Sequence, residues 1–121
     1  MIKVSVVLLN YNGKHHLEEY LPVLLKHTTD SFVEICVIDN ASTDDSISFL
    51  QQNYPQVRII RLSKNFGFSG GYNRGLQEIK ATYYVLLNTD VEVTSDWLFP
   101  LVNYLDTHTD VQACQPKILS Y

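Results

Sequence analysis

Positive charge is scarce in this chain. Its 121 residues hold 9 Lys and Arg against 13 Asp and Glu, a formal net charge of −4. The basic residues are scattered, so no stretch gathers enough of them to serve a nucleic acid or an anionic membrane surface. An acidic chain that binds a phosphorylated ligand needs local help, from a metal ion or from backbone amides. Cysteine is sparse as well. Cys36 and Cys114 are the 2 present, both in apolar runs that read as strands. Buried free thiols in a reducing compartment are expected, with a disulfide as the alternative. Long apolar runs are missing: Val4 to Leu9 is too short for a signal peptide and ends at Asn10-Tyr11-Asn12, and no run approaches the roughly 20 residues of a membrane span. A soluble, cytoplasmic domain is the expectation. Low-complexity tracts, internal repeats and linkers are absent. The composition, 45% hydrophobic and 18% charged, is globular and of one-domain length.

Short apolar runs alternate with longer periodic ones. Val4 to Leu9 is continuous and β-branched, as in a strand buried on both faces. Leu17, Tyr20, Leu21, Leu24 and Leu25 have helical spacing, with Pro22 predicting a late start or a kink. Val33 to Ile38 reads as a second strand. Ser42 to Ser46 offers N-cap residues and first-turn carboxylates for a helix ending before Pro55. Val57 to Leu62 is a third strand, less buried because of Arg58 and Arg61. Ser69 to Lys80 is a glycine-weakened helix, Tyr83 to Leu87 a fourth strand, Ser95 to Thr107 a helix with Pro100 early in it, and Val111 to Leu119 the start of one more strand. The order predicts an α/β fold: a Rossmann-like, mostly parallel sheet of four to five strands flanked by helices on both faces.

In such sheets ligands bind at the carboxyl ends of the strands. That rule selects Asn10 to Gly13, Asp39 to Asp44, Ser63 to Gly71, and Asn88 to Glu92, all rich in Asn, Asp or Gly. Asp90 leaves a hydrophobic strand at its carboxyl end, where one carboxylate can hold a hard divalent cation such as Mg²⁺ together with diphosphate and water oxygens; a simple turn cap is the competing reading. Glu92 is the weaker candidate. Asp39 terminates a buried strand and could accept hydrogen bonds from a pyrimidine imide or from ribose hydroxyls, whereas Asp44 and Asp45 suit a helix dipole. Asn65 to Gly75 contains neither a Walker A loop nor a G-x-G-x-x-G; its glycines permit close approach to a ligand or to a neighbouring strand. Tyr11 could stack on a base or merely rim the core. His15, His16, His27 and His108 show no ligand spacing and read as surface residues.

In order, these loops resemble the family 2 glycosyltransferases of the GT-A fold, and the form Leu87-Asn88-Thr89-Asp90 is similar to that of rhamnosyltransferase-like members. The opening strand ending in Tyr11-Asn12 is similar to the family's, and Glu34 to Ser46 resembles its E-I-x-V-x-D-D-G-S-T-D segment. Asn65-Phe66-Gly67 with Asn73-Arg74-Gly75 resembles its N-x-G…N-x-G helix, and Asn88-Thr89-Asp90 stands where the family has its D-x-D motif. The resemblance spans essentially the whole chain. It implies an inverting transfer of sugar from a UDP- or dTDP-sugar donor to a glycan or lipid-linked acceptor, as in polysaccharide biosynthesis. Asn10, Tyr11, Asn12, Asp39, Asn65, Gly67, Asn73 and Asn88 would form the nucleotide site, and Asp90 would hold Mg²⁺ or Mn²⁺ across the diphosphate.

Several positions depart from the pattern. Asn88 replaces the first Asp of D-x-D, Leu9 stands where many members have Pro, and Asn40-Ala41 replaces Asp-Gly. No late acidic residue matches the family's general base, since Asp106 and Asp110 flank a helix end as solvated acids do. The chain is therefore expected to be the N-terminal, donor-binding part of a catalytic domain, with its base beyond residue 121 and with peripheral association of the whole enzyme at the inner face of the cell membrane left open. A catalytically inactive nucleotide-binding or interaction domain of the same fold is the alternative. A receiver-type phosphoacceptor domain is more remote, because the first strand ends in Asn10-Tyr11-Asn12 without the carboxylates that such a site needs.

Overall fold

Four strands, β1 (Val4–Asn10), β2 (Val33–Asp39), β3 (Arg58–Arg61) and β4 (Tyr83–Leu87), pair in parallel in the order β3-β2-β1-β4 in the computed structural model, which describes residues 2–120. Between and after them run α1 (Lys14–Lys26), α2 (Ser46–Asn53), α3 (Gly67–Leu76) and α4 (Phe99–Thr107). β1 and β2 are central, which is why their β-branched runs are apolar on both faces.

One face of the sheet packs Val4, Val6, Leu8, Ile35 and Val37 against Leu17, Leu21 and Leu24 of α1, Leu50 of α2 and Val102 of α4. The other packs Val7, Cys36, Ile38 and Ile60 against Tyr72 of α3 and Ile79. Helices thus cover both faces, as the alternating order predicts. Burial pushes the Cys36 thiol up to about 12, so it is an inert core side chain. α3 leaves part of β4 uncovered: Tyr84 and Leu86, on its face of the sheet, are 44% and 55% exposed.

At the amino ends of the strands, Lys3 Nζ lies 2.6 Å from Asp106 Oδ2, and the Tyr83 hydroxyl donates to Asp106 Oδ1 at 2.7 Å. These two partners hold the Asp106 carboxyl below the usual carboxylate range. Asp106 is therefore an anchor for α4 at the end of the sheet away from the candidate loops.

Several boundaries differ from the sequence reading. Val111 to Leu119 forms no strand, and Cys114 lies exposed in this irregular segment as a free thiol, not in a buried strand. Cys36 is free as well, which rules out the disulfide alternative. α1 starts at Lys14, and Pro22 sits inside it. α2 starts only at Ser46, so Asp44 and Asp45 precede the helix and its first turn carries no acid. α3 begins and ends earlier than expected: the Asn65 side chain accepts the Gly67 N–H at 2.8 Å, supplying a partner to its first amide. α4 starts at Phe99, after Asp96 takes a left-handed φ of 55° that no helix can include, with Pro100 in its first turn.

α3 can approach the sheet because Gly75 has no side chain. A Cβ there would overlap the side chain of Ile38, which is fully buried. Gly75→Ala gains about 1 kcal/mol of helix propensity but drives a methyl into a packed core, which costs about 1–3 kcal/mol. A net loss of about 1 kcal/mol is expected in urea unfolding. Unchanged stability would mean that Ile38 can move aside.

Candidate functional site

The parallel register sets Asn10 beside Asp39 at the ends of β1 and β2, where they are 1% and 2% exposed. Asp39 Oδ1 accepts Asn10 Nδ2–H at 3.0 Å and the Ser42 hydroxyl at 2.7 Å, while Oδ2 accepts the Ser42 N–H at 2.9 Å. The Ser42 hydroxyl oxygen in turn accepts the Asn12 N–H at 2.9 Å. Asn10 Oδ1 is buried without a partner among the described residues. It faces Gly13, where a Cβ would lie 2.5 Å from it, and Thr89 Oγ1 is 3.8 Å from that same Cβ position. The acceptor therefore points at the seam between the loop after β1 and the loop after β4.

The loops after β1 and β2 are zipped together further out. Asn12, at a left-handed φ of 51°, accepts the N–H groups of Thr43 and Asp44 on its Oδ1 at 2.7 and 3.1 Å. Asp44 returns the contact: its Oδ2 accepts the Lys14 N–H at 3.2 Å, and its Oδ1 the Ser46 N–H at 3.0 Å. Partial burial pushes the Asp44 carboxyl up, but the hydrogen bonds from Ser46 and Lys14 outweigh it and leave the carboxyl below its ordinary range.

The third loop is joined to the second through Asn40, which is 3% exposed. Its Nδ2 donates to the Gly67 carbonyl at 3.0 Å and its Oδ1 accepts the Phe66 N–H at 2.9 Å. In the fourth loop Asn88 and Asp90 are exposed. The Tyr20 hydroxyl of α1 is held above its ordinary range by partial burial, by Glu19, and by the charges of Asp90 and Glu92, so that loop's acids lie toward α1. No cluster of three or more His, Cys, Asp or Glu side chains among the described residues could hold a metal ion unaided. Asp90 fits a cation only as one ligand among several supplied from elsewhere.

All four loops leave the carboxyl ends of the strands. β1 runs on to β2 on one side of the sheet while β4 lies on its other side, so the switch point falls between β1 and β4, where Gly13 and Thr89 approach. The sequence profile described as Glycosyl transferase family 2 matches residues 5–119. The chain belongs to this family. It is 30% identical to abequosyltransferase RfbV of Salmonella typhimurium over 119 residues, covering 94% of this chain and 36% of that protein. It is 27% identical to a dolichol-phosphate mannosyltransferase of Pyrococcus furiosus over 113 residues, covering 91% of this chain and 32% of that protein. Among solved structures, residues 1–349 of S. aureus TarS superpose with a TM-score of 0.77 at 22% identity, over 89% of this chain and 33% of that fragment. These neighbours share the GT-A fold. The chain spans about a third of the length of the relatives it matches.

Of the residues that sequence reading selects, Asn10, Asn12 and Asp39 share one hydrogen-bond network, and Asn65 caps the start of α3 next to Gly67. Tyr11 projects, 50% exposed, beside that network. Asn73 is exposed on α3, six residues past its first, or about 9 Å along the axis. Sequence reading missed Ser42 and the clamping role of Asn40. An Asp followed three residues later by Ser is the mark of a side-chain-closed turn, so Ser42 was findable. Asn40 pairs with residues 26 and 27 positions away, which no local pattern announces.

Ala41 takes a φ of 63° where the family pattern has Gly. The left-handed region costs an L-residue roughly 1–2 kcal/mol, more than the extra backbone entropy of glycine. Ala41→Gly should raise stability by about 0.5 kcal/mol, seen as a rise of a few degrees in Tm. For Asp44, a folded pKa below the unfolded one means that its contribution is complete above about pH 4 and is lost as pH falls through the lowered folded value. The Lys14 and Ser46 amides should therefore stay protected from exchange at pH 5 and lose protection only as pH falls below the ordinary carboxylate range. An Asp44→Asn variant should lack that acid step.

Proposed function

We propose that this domain binds the nucleoside diphosphate of a UDP- or dTDP-sugar in the crevice between β1 and β4, as the donor part of an inverting glycosyltransferase. One observation carries the reading: four Asn-, Asp- and Gly-rich loops converge at the strand carboxyl ends, with the buried acceptor Asn10 Oδ1 facing the seam at the switch point. Solved structures of similar fold support it. TarS has been determined with UDP and with UDP-GlcNAc, and the Pyrobaculum calidifontis mannosyltransferase PcManGT, TM-score 0.77 and 23% identical, with GDP-Man and Mn²⁺.

In this reading the exposed Tyr11 ring offers a face for the base. Among the described residues Asp39 Oδ2 accepts only the Ser42 N–H, which leaves a lone pair for an imide N–H or a ribose hydroxyl. Asn65, Gly67 and Asn88 border the phosphates, and Asp90 holds Mg²⁺ or Mn²⁺ jointly with them. Such an ion, when bound, offsets charge on the departing nucleoside diphosphate. The acceptor, a glycan or a lipid-linked sugar, and the carboxylate that takes its proton belong to chain beyond residue 121. Donor binding without transfer is expected of residues 1–121, in the cytoplasm or at the inner face of the cell membrane.

Calorimetric titration of UDP, dTDP and GDP, with Mn²⁺ and with a chelator, tests this. UDP or dTDP should bind only with the metal, Mn²⁺ alone should not bind tightly, and Asp90→Ala should weaken binding about tenfold or more, roughly 1.4 kcal/mol. Binding of GDP alone would overturn the pyrimidine assignment. Metal-independent binding unaffected by Asp90→Ala would remove Asp90 from the site.

A further inference from the structure

A carboxamide has the same donor and acceptor spacing as a peptide group, and Asn40 uses both ends at once. Its Oδ1 takes the Phe66 N–H at 2.9 Å and its Nδ2 gives to the Gly67 carbonyl at 3.0 Å, as a neighbouring strand would. It is 3% exposed at the end of β2, and α3 closes over it: a Cβ on Gly71 would stand 3.0 Å from Asn40 Nδ2 and 2.8 Å from Leu9 Cδ1. What it holds is not inert. The Phe66 ring carries the Arg74 guanidinium at 3.8 Å and the Lys64 ammonium at 5.2 Å. Neither cation belongs to the ion pairs found among the described residues.

We infer that Asn40 is a positioning residue that locks the loop after β3, and with it the Phe66-borne cations Lys64 and Arg74, to the loop after β2 for a nucleoside diphosphate. The role in ligand binding rests on the donor reading above; the clamp itself does not. An Asp at position 40, which the wider family pattern carries, cannot replace Asn here without cost. A carboxylate still accepts the Phe66 N–H, but it turns a second acceptor toward the Gly67 carbonyl, leaving both unpaired. A protonated carboxyl restores the donor. Burial and the facing carbonyl raise the pKa of the introduced group, as does the adjacent Asp39, while Lys64 and Arg74 oppose the rise.

The test is Asn40→Asp compared with wild type from pH 8 to pH 4.5, read in two ways. In amide NMR spectra of the chain alone, resonances of residues 66–70 should shift from wild type at pH 7.5 and return toward it as pH falls. In titrations with UDP or dTDP and Mn²⁺, affinity should be about tenfold weaker than wild type at pH 7.5 and within about threefold of wild type, measured at the same pH, near pH 5. Spectra unmoved at pH 7.5, or an affinity loss equal at every pH, would overturn the inference. If wild type binds no nucleotide, the donor reading fails, while the spectra still decide whether Asn40 is the clamp.

Discussion

Everything at the carboxyl edge of this sheet hangs on satisfying one buried carboxyl group. Asp39 is 2% exposed, and a carboxyl so placed is tolerable only when its oxygens are engaged. Three hydrogen bonds do so, from Asn10 and twice from Ser42. Because Asn10 ends β1 and Ser42 lies in the loop after β2, satisfying Asp39 also fixes the register of the two strands and the path of both loops. Asn12 and Asp44 repeat the arrangement one layer out, each bonded to the other loop's backbone. The edge is stiff because its polar groups are cross-linked between loops.

The same constraint shapes the remaining loops. Asn40 follows Asp39 directly, and its carboxamide reaches the start of α3. α3 can come that close only because Gly71 and Gly75 present backbone where a Cβ would meet Leu9, Asn40 and Ile38. Sequence glycines that suggest a phosphate loop thus serve helix-to-sheet packing at these two positions. The two readings are compatible, since close packing is what brings the start of α3 to the strand ends.

The two central strands were legible because their signal is local: β-branched apolar runs of the right length, ended by Asn10 and Asp39. The family was legible for the same reason, most of its motifs lying in the loops that leave the strand ends. Helix starts were less so. Ser42 and Thr43 look like caps for α2, yet their hydroxyls and amides serve Asp39 and Asn12 across the loops, and the helix waits until Ser46. A Ser or Asp offers the same hydrogen bonds to its own helix or to a distant loop, and only the tertiary fold decides between them. Val111 to Leu119 fails for a related reason: an apolar run becomes a strand only with a ladder to join, and in the described chain β4 pairs with β1 alone. Cys114, placed in that expected strand, is exposed as a consequence.

The distribution of satisfied and open polar groups then bears on what a ligand can meet. Asn12, Asp44 and Ser42 have spent most of their capacity on one another, and the buried Asn10 and Asp39 each keep one acceptor, Oδ1 and Oδ2, with capacity to spare. Tyr11, Asn88 and Asp90 stand exposed on the two sides of the switch point, with Lys64 and Arg74 held on Phe66 in the loop after β3. In the donor reading, an aromatic face, a carboxylate suited to a shared cation, and two cations in a chain of net negative charge would complement a base and a diphosphate. In the donor reading, the buried network is therefore the rigid base on which a few unspent groups are set. A substitution at Asn40 would act on binding through loop position rather than through lost contact. This is why position 40, which need not touch a ligand, is where the coupling between fold and site is most open to measurement.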